Sequence, residues 1–366
     1  MHYSLDIIVP MNRNKTRVAV GLSGGVDSAV SAYLLKKAGY EVTGVHIVCW
    51  DEGPHCKARE DRKDALKVAL VLDVPFVVLD FQKEYKERVI DRFYADYEKG
   101  LTPNPDVWCN SEIKFGMFLE WAREEGFDKI ATGHYAKVGG SDGELRLEIP
   151  KDRHKDQTYF LYRLGQDELE RVVFPLGDYL KGEVRQTAKE AGLPVADKKD
   201  SQGICFIGDI DVREFLRRRL KEEPGEVVDT KGRVIGRHKG VWFYTIGERG
   251  GWEVSAEYQK RFSGEIPVFY VVGKDVKKNR LVVGFGAETY KERFEVGELL
   301  SVGDKLKDGR IKVRIRHGGD LLKAELVKFD GSRVVVELEE PQRGVSPGQA
   351  AVFYEGEVCL GGGVIL

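Results

Sequence analysis

At 366 residues the chain exceeds what one small core organises, so two or three domains are expected. Its apolar fraction of 42% and charged fraction of 32% are those of a soluble globular protein, and no apolar run approaches the length that crosses a bilayer. A net charge of −2 excludes a global basic field, so any nucleic-acid surface has to be a local patch. The cysteines Cys49, Cys56, Cys109, Cys205 and Cys359 form an odd, sparse set and no disulfide framework. Met1 to Asn14 carries Ile7, Ile8 and Val9 without a charged-then-apolar secretory pattern. It reads as a loose leader, and a cytoplasmic enzyme is expected.

Val18 to Leu35 reads V-A-V-G-L-S-G-G-V-D-S-A-V-S-A-Y-L-L. Val18 and Val20 start a short strand. Gly21, Gly24 and Gly25 then permit a tight turn and close approach to a ligand. Ser23 and Ser28 offer hydroxyls, and Ala29 to Leu35 reads as a helix packed on a sheet. A glycine turn feeding a helix N-terminus is a phosphate cradle. The lysine of a Walker A motif is missing, and Asp27 stands in the cradle instead, pointing to a carboxylate beside Mg²⁺ and phosphates.

Further strands are predicted over Tyr40–Trp50, Val74–Phe81 and Asp128–Thr132, the last ending in Gly133-His134. Helices are predicted over Asp61–Leu72, Glu84–Glu98 and Ser111–Glu125, where Ile113, Met117 and Trp121 share a face. This alternation predicts an α/β, doubly wound parallel sheet with its ligand at the carboxyl ends of the strands. A helix follows over Lys181–Gly192, then a basic helix over Val212–Lys221. From Pro267 on only strands are read, among them Val268–Gly273, Arg280–Gly284, Arg310–His317, Arg333–Glu339 and Ala350–Tyr354. They predict a small β-barrel. The expected partition is residues 1–208 for the nucleotide domain, 209–275 for a small central domain and 276–366 for the barrel.

Two stretches carry further chemistry. Thr102–Asn110 (T-P-N-P-D-V-W-C-N) is a proline-stiffened loop before a helix, which places Cys109 where a helix dipole lowers a thiol pKa. Ser201–Gly208 (S-Q-G-I-C-F-I-G) sets Cys205 in an apolar run. Ile204 and Phe206 also suit a buried structural thiol, and Cys109 alone fits an incidental loop position. As a pair beside an activating nucleotide, one thiol carries sulfur as a persulfide and the other resolves it. Cys49 and Cys56 read as core or surface thiols rather than a metal pair, and Cys359 as core. Arg213, Arg217, Arg218 and Arg219, with Arg237, His238, Lys239, Trp242 and Tyr244, mix cations with aromatics as an RNA surface does; a solvated charged face reads the same way.

S-G-G-V-D-S resembles the signature of the PP-loop ATP pyrophosphatases. Over nearly everything after Lys15 the chain resembles the bacterial tRNA 2-thiouridylase family. The resemblance rests on G-L-S-G-G-V-D-S (Gly21–Ser28), T-P-N-P-D-V-W-C-N, A-T-G-H-Y-A (Ala131–Ala136) and K-D-Q-T-Y-F-L (Lys155–Leu161). It continues through F-P-L-G-D-Y-L-K (Phe174–Lys181), K-K-D-S-Q-G-I-C-F-I-G (Lys198–Gly208), Y-T-I-G (Tyr244–Gly247) and V-S-P-G-Q-A-A-V-F-Y (Val345–Tyr354). Glu248 stands where the family usually writes Gln, and Ile315 where an aromatic residue is common.

The resemblance implies a PP-loop domain, a small central domain and a C-terminal barrel. It implies ATP bound by Gly21, Leu22, Ser23, Gly24, Gly25, Val26, Asp27 and Ser28, with Ile47 and Gly133 at the adenosine. Asn104, Pro105 and Asp106 would meet the target base; Lys155, Asp156, Gln157, Arg314 and Ile315 would touch tRNA. Cys109, Cys205 and Asp106 would be catalytic, with Cys205 bearing the persulfide. The implied activity is 2-thiolation of the wobble uridine through an adenylated C2 oxygen, by a monomer supplied by a sulfur-relay protein or cysteine desulfurase. A rival scheme lets Asp106, Cys109 and Cys205 hold an iron–sulfur cluster. Another PP-loop ligase or amidating enzyme, or a non-catalytic tRNA-binding protein, are the alternatives in other classes.

Overall fold

The computed structural model describes residues 15–51, 58–141, 144–200, 205, 207–208, 211–260, 267–301, 306–328, 330 and 332–366. The sequence-predicted leader and Cys56 lie outside them. β1 (Arg17–Gly21), α1 (Val26–Lys37), β2 (Glu41–Val48), α2 (Ala58–Val71) and β3 (Phe76–Asp80) alternate as the apolar pattern predicts. Next comes β4 (Lys129–Ala131), then a hairpin of β5 (Lys137–Ser141) and β6 (Glu144–Glu148), then β7 (Val172–Val173). Strands 3-2-1-4-7 form one sheet, all parallel. β1 lies at its centre and is buried on both faces, so Val18, Ala19 and Val20 are consecutive apolar residues rather than alternating ones. Val18 and Val20 pack towards α1, α2 and the helix Lys181–Glu190. Ala19, Val45 and Ile47 face the helices between β3 and β4.

Those helices depart from the prediction. The segment Gln82–Glu98 is broken by a π-helical turn at Lys86–Ile90. The expected helix over Ser111–Glu125 begins instead at Pro105, and Cys109–Met117 within it is π-helical. Neither wide turn has a composition signal. Val212–Arg217 is shorter than the predicted basic helix, because Arg218 and Arg219 turn away in tighter i→i+3 bonds.

The central sheet contains β8 (Gly225–Asp229), β9 (Val234–His238), β10 (Glu253–Val254), β11 (Tyr270–Asp275) and β12 (Arg280–Gly284). β12 pairs with both β11 and β8, so this sheet runs on to Gly284. A boundary after residue 275, as the sequence places it, would divide a paired hairpin. β13 (Tyr290–Ser301), β14 (Gly309–Arg314), β15 (Leu322–Val327), β16 (Val334–Arg343), β17 (Ala350–Glu355) and β18 (Val358–Ile365) follow. They close into a six-stranded barrel through the β13–β18 pairing. Its interior holds Phe294, Val296, Val313, Leu326, Val336 and Phe353.

The hairpin β5–β6 is the feature the sequence reading missed. It leaves the parallel sheet and pairs β6 with β18, adding two strands of the first domain to the barrel. The alternation of Leu145 and Leu147 against Glu144, Arg146 and Glu148 beside an S-D-G turn is the signal that marks it.

Candidate active site

The glycine-rich turn is built as its residues dictate. Ser28 in the first turn of α1 accepts from the Ser23 N–H (3.1 Å) and donates to the Gly25 carbonyl (3.1 Å), folding the loop onto the helix. His46 bonds the Leu22 carbonyl at 2.8 Å from the neighbouring strand. Gly24 has φ +80°, and a Cβ there would lie 2.3 Å from the Asp61 carbonyl oxygen. Gly133 is needed for a different reason: a Cβ would lie 2.7 Å from the Ser28 nitrogen, so the end of β4 and the start of α1 pack backbone to backbone.

A cavity of about 280 Å³ opens over this turn. Gly21, Leu22, Ser23, Gly25, Val26, Asp27, Ser28, Ile47 and Gly133, all predicted nucleotide residues, line it. Gly24 does not; it faces α2. Lys114, Phe118, His134, Tyr135, Lys199 and Asp200 line it as well, and the sequence reading gave none of them a role.

Asp27 is not a free carboxylate. Lys181 bonds both its oxygens (2.7 and 2.8 Å), and the Tyr135 hydroxyl donates to one of them at 2.9 Å. Lys181 also reaches Asp200 at 2.8 Å, which Lys155 and Arg185 bond at 2.8 and 2.6 Å. Burial pushes the Asp200 carboxyl up, but Lys155 and Lys181 outweigh it and hold the group at about 2. With the carboxylate so occupied, Asp27 does not fit the role of a metal ligand that its place in the turn predicts. Lys181 supplies the cation there.

The thiols meet. Cys109, wholly buried at the head of the π-helix, hydrogen-bonds the less buried Cys205 side chain. The Cys205 N–H donates to Asp106 Oδ1 at 2.9 Å, and its carbonyl accepts from the buried Tyr85 hydroxyl at 2.7 Å. The hydrogen bond from Cys109 lowers the Cys205 pKa, against burial, and Lys114 adds to the lowering. Burial drives the Cys109 pKa well up instead. The dipole effect expected at Cys109 is overridden by desolvation, and Cys205 is the more readily ionised of the two thiols. Burial also raises the Asp106 carboxyl. The pair is hydrogen-bonded rather than splayed around a centre, and among the described residues no group of three or more His, Cys, Asp or Glu is placed to hold a metal ion.

The proline loop is held by the barrel. Asn104 caps the short helix by accepting from the Asp106 N–H (3.1 Å), and Pro105 occupies its first turn. Thr102 N–H donates to the Pro347 carbonyl at 2.8 Å, and Gln349 Nε2 donates to the Thr102 carbonyl at 2.7 Å. Two of the motifs noted in the sequence thus form one clasp. Trp108, next to Cys109, is sandwiched between the guanidiniums of Arg92 (3.2 Å) and Arg163 (4.2 Å).

The predicted tRNA residues divide. Lys155 and Gln157 line the nucleotide cavity, and the Gln157 side chain accepts from the Tyr135 N–H at 2.9 Å. Asp156 points the other way, into a buried 2.7 Å pair with Arg314 of β14. Ile315 packs in the barrel core, so an RNA contact there would run through its backbone. Much of the arginine cluster is paired internally: Arg213 with Glu248, Arg217 with Glu222 and Arg219 with Asp91. His238 and Tyr244 are buried, which leaves Arg218, Arg237 and Lys239 as exposed cations of that patch.

A parallel sheet with a glycine turn and an open cavity at its carboxyl ends, followed by two small β-domains, defines a nucleotide-binding PP-loop domain with appended barrels. Comparison with known proteins gives the same division: residues 16–209 match a family described as tRNA methyl transferase HUP domain, 213–285 its PRC-barrel domain and 291–365 an aminomethyltransferase beta-barrel domain. The tRNA-specific 2-thiouridylases MnmA of Limosilactobacillus reuteri and Nitrosomonas europaea are 45% and 44% identical to this chain. The matches cover 97% and 96% of this chain and 96% and 99% of those proteins. The chain belongs to the tRNA-specific 2-thiouridylase family.

Proposed function

We propose that this protein is an ATP-dependent tRNA-uridine 2-sulfurtransferase acting on the wobble uridine. One observation carries the reading: Cys109 and Cys205, distant in sequence, form a hydrogen-bonded pair linked through Lys114 to a cavity over the glycine turn. A nucleotide site alone fits any PP-loop ligase; a resolving pair joined to its lining through Lys114 fits sulfur transfer.

In this reading the turn's free N–H groups and the α1 dipole hold the phosphates of ATP. The uridine C2 oxygen attacks the α-phosphorus and pyrophosphate leaves, which makes AMP the leaving group at C2. Mg²⁺, held by the phosphates themselves, would supply neutralisation of the leaving pyrophosphate. A persulfide on Cys205, loaded by a donor protein such as a persulfide carrier or cysteine desulfurase, attacks C2 through its outer sulfur and AMP departs. Cys109 sulfur then attacks Cys205 sulfur. The old S–S bond breaks, its electron pair stays on the sulfur at C2, and a Cys109–Cys205 disulfide remains for an external dithiol to reduce. Asp106 orients the Cys205 backbone. A uridine in a single-stranded anticodon loop is cheap to extrude into the pocket. Among the described residues no helix is long and apolar enough to cross a membrane; we read the enzyme as a cytoplasmic monomer.

Mass spectrometry of tRNA nucleosides after incubation with ATP, Mg²⁺, a persulfide donor and a dithiol reductant tests the reading. 2-Thiouridine with stoichiometric AMP and pyrophosphate is expected. A tRNA left unmodified with a competent donor would overturn it. Iron and acid-labile sulfide in anaerobically purified active protein would replace the persulfide scheme with the cluster scheme.

A further inference from the structure

Lys114 belongs to no motif that the sequence reading used. It lies on the π-helical stretch Cys109–Met117, five residues after Cys109. In an α-helix, residues five apart diverge by about 140° around the axis. Bonding from i to i+5 widens the turn beyond about 3.6 residues, which swings position 114 back towards the face of Cys109. The π-helix thereby brings an ammonium beneath the thiol pair. The side chain lines the nucleotide cavity and at the same time hydrogen-bonds Cys205.

Its surroundings are otherwise poor in charge. Asp106, Cys109, Cys205, Cys49, Tyr85 and His134 face this cluster, and Asp80 and Glu84 act on it from the Cys49 side. Burial leaves Cys49 and Cys109 as thiols, Tyr85 as a phenol and His134 as a neutral ring. Desolvation ought to discharge a lysine in such a place. Here the sulfurs of Cys205 and Cys109, and then Asp106, raise its pKa instead, so it remains a cation.

We propose that Lys114 is the positioning residue of the sulfur site, its ammonium reaching from the lining of the nucleotide cavity to the Cys205 sulfur and fixing its direction. The assignment deepens the function proposed above and rests on it for the identity of the reaction. Its consequence is a division of labour: Cys109 supplies a proton donor to the sulfur, and Lys114 supplies charge and direction. Of the other lysines that line the cavity, Lys155 bonds Asp200 instead.

The test is alkylation of Cys205 by iodoacetamide, followed by peptide mass spectrometry across pH 6–9. It uses full-length protein without tRNA. Relative to wild type, Lys114→Met should slow Cys205 alkylation at pH 7 by about tenfold or more and move its pH midpoint upward. Lys114→Arg should stay within about threefold of wild type, as rescue by charge requires. Melting temperature and ATP binding verify that each variant is folded; Lys114→Gln replaces Lys114→Met if the latter does not fold. Unchanged Cys205 alkylation in a folded charge-free variant overturns the proposal, even if thiolation is lost. Normal lysine dependence in a wild-type protein that forms no 2-thiouridine would sink the proposed function and leave the Lys114 assignment standing.

Discussion

The phosphate turn and the sulfur site meet at Lys114 but are built in opposite ways. The turn is local: Ser23, Gly25 and Ser28 bond one another within six residues. The sulfur site is assembled from Tyr85, Asp106, Cys109, Lys114 and Cys205, which three separate segments supply. A local site survives as long as its own dihedrals do. An assembled site depends on every domain contact that brings its parts together. Damage to the turn should therefore abolish nucleotide use and leave the thiols reactive, and damage to the thiols should do the reverse.

The largest effect is expected from Cys205→Ser or Cys109→Ser. Either should lower 2-thiouridine formation by roughly a thousandfold or more, with ATP affinity within about twofold of wild type. Nucleoside mass spectrometry and nucleotide titration measure the two. A substantial loss of ATP binding would break the comparison.

Next is the buried Asp156–Arg314 pair. Arg314→Met leaves a buried carboxylate without its partner and should cost about 3–5 kcal/mol in denaturant unfolding. Asp156→Leu with Arg314→Met should recover much of that loss. If the single variant is neutral, the pair does not tie the barrel to the first domain.

Gly24→Ala should cost about 1–3 kcal/mol, because its φ of +80° and the 2.3 Å approach to Asp61 both oppose a side chain. ATP affinity should fall while Cys205 alkylation holds. Parallel loss of both would show that the two halves are not separately built.

The smallest effect is the pH dependence that Asp200 contributes. Its carboxyl is held at about 2, below its ordinary 3.8. The stability it contributes is complete above about pH 4 and is lost as pH falls towards 2. Urea midpoints from pH 5 to pH 2 should decline less in Asp200→Asn than in wild type.

How much was legible follows from the same contrast. Strand, glycine turn and helix lie in one run of sequence, and apolar periodicity located nearly every strand of the parallel sheet. Cys109 and Cys205 were recognisable as chemistry, but nothing local to either says that they touch. The Cys109 thiol is raised where a lowered one was expected, since a helix N-terminus is a weaker influence than full burial. Lys114 escaped because α-helical spacing places it off the Cys109 face, and only the π-helix restores it. Lys181 escaped because it pairs with Asp27 across 154 positions. Asp156 and Arg314, read as RNA contacts, bond each other, and Ile315 faces inward. Motif position shows that a residue matters without showing what it faces.

The clasp of Gln349 on Thr102 spans 247 residues. At ordinary translation rates the first domain waits roughly ten to fifty seconds on the ribosome before that partner exists. β6 likewise has no neighbour on its outer edge until β18 emerges. The nascent chain thus holds a folded nucleotide turn long before it holds an ordered base loop. A chain truncated before β17 should bind nucleotide and hold its thiol pair yet lack the clasp that fixes the Thr102 loop.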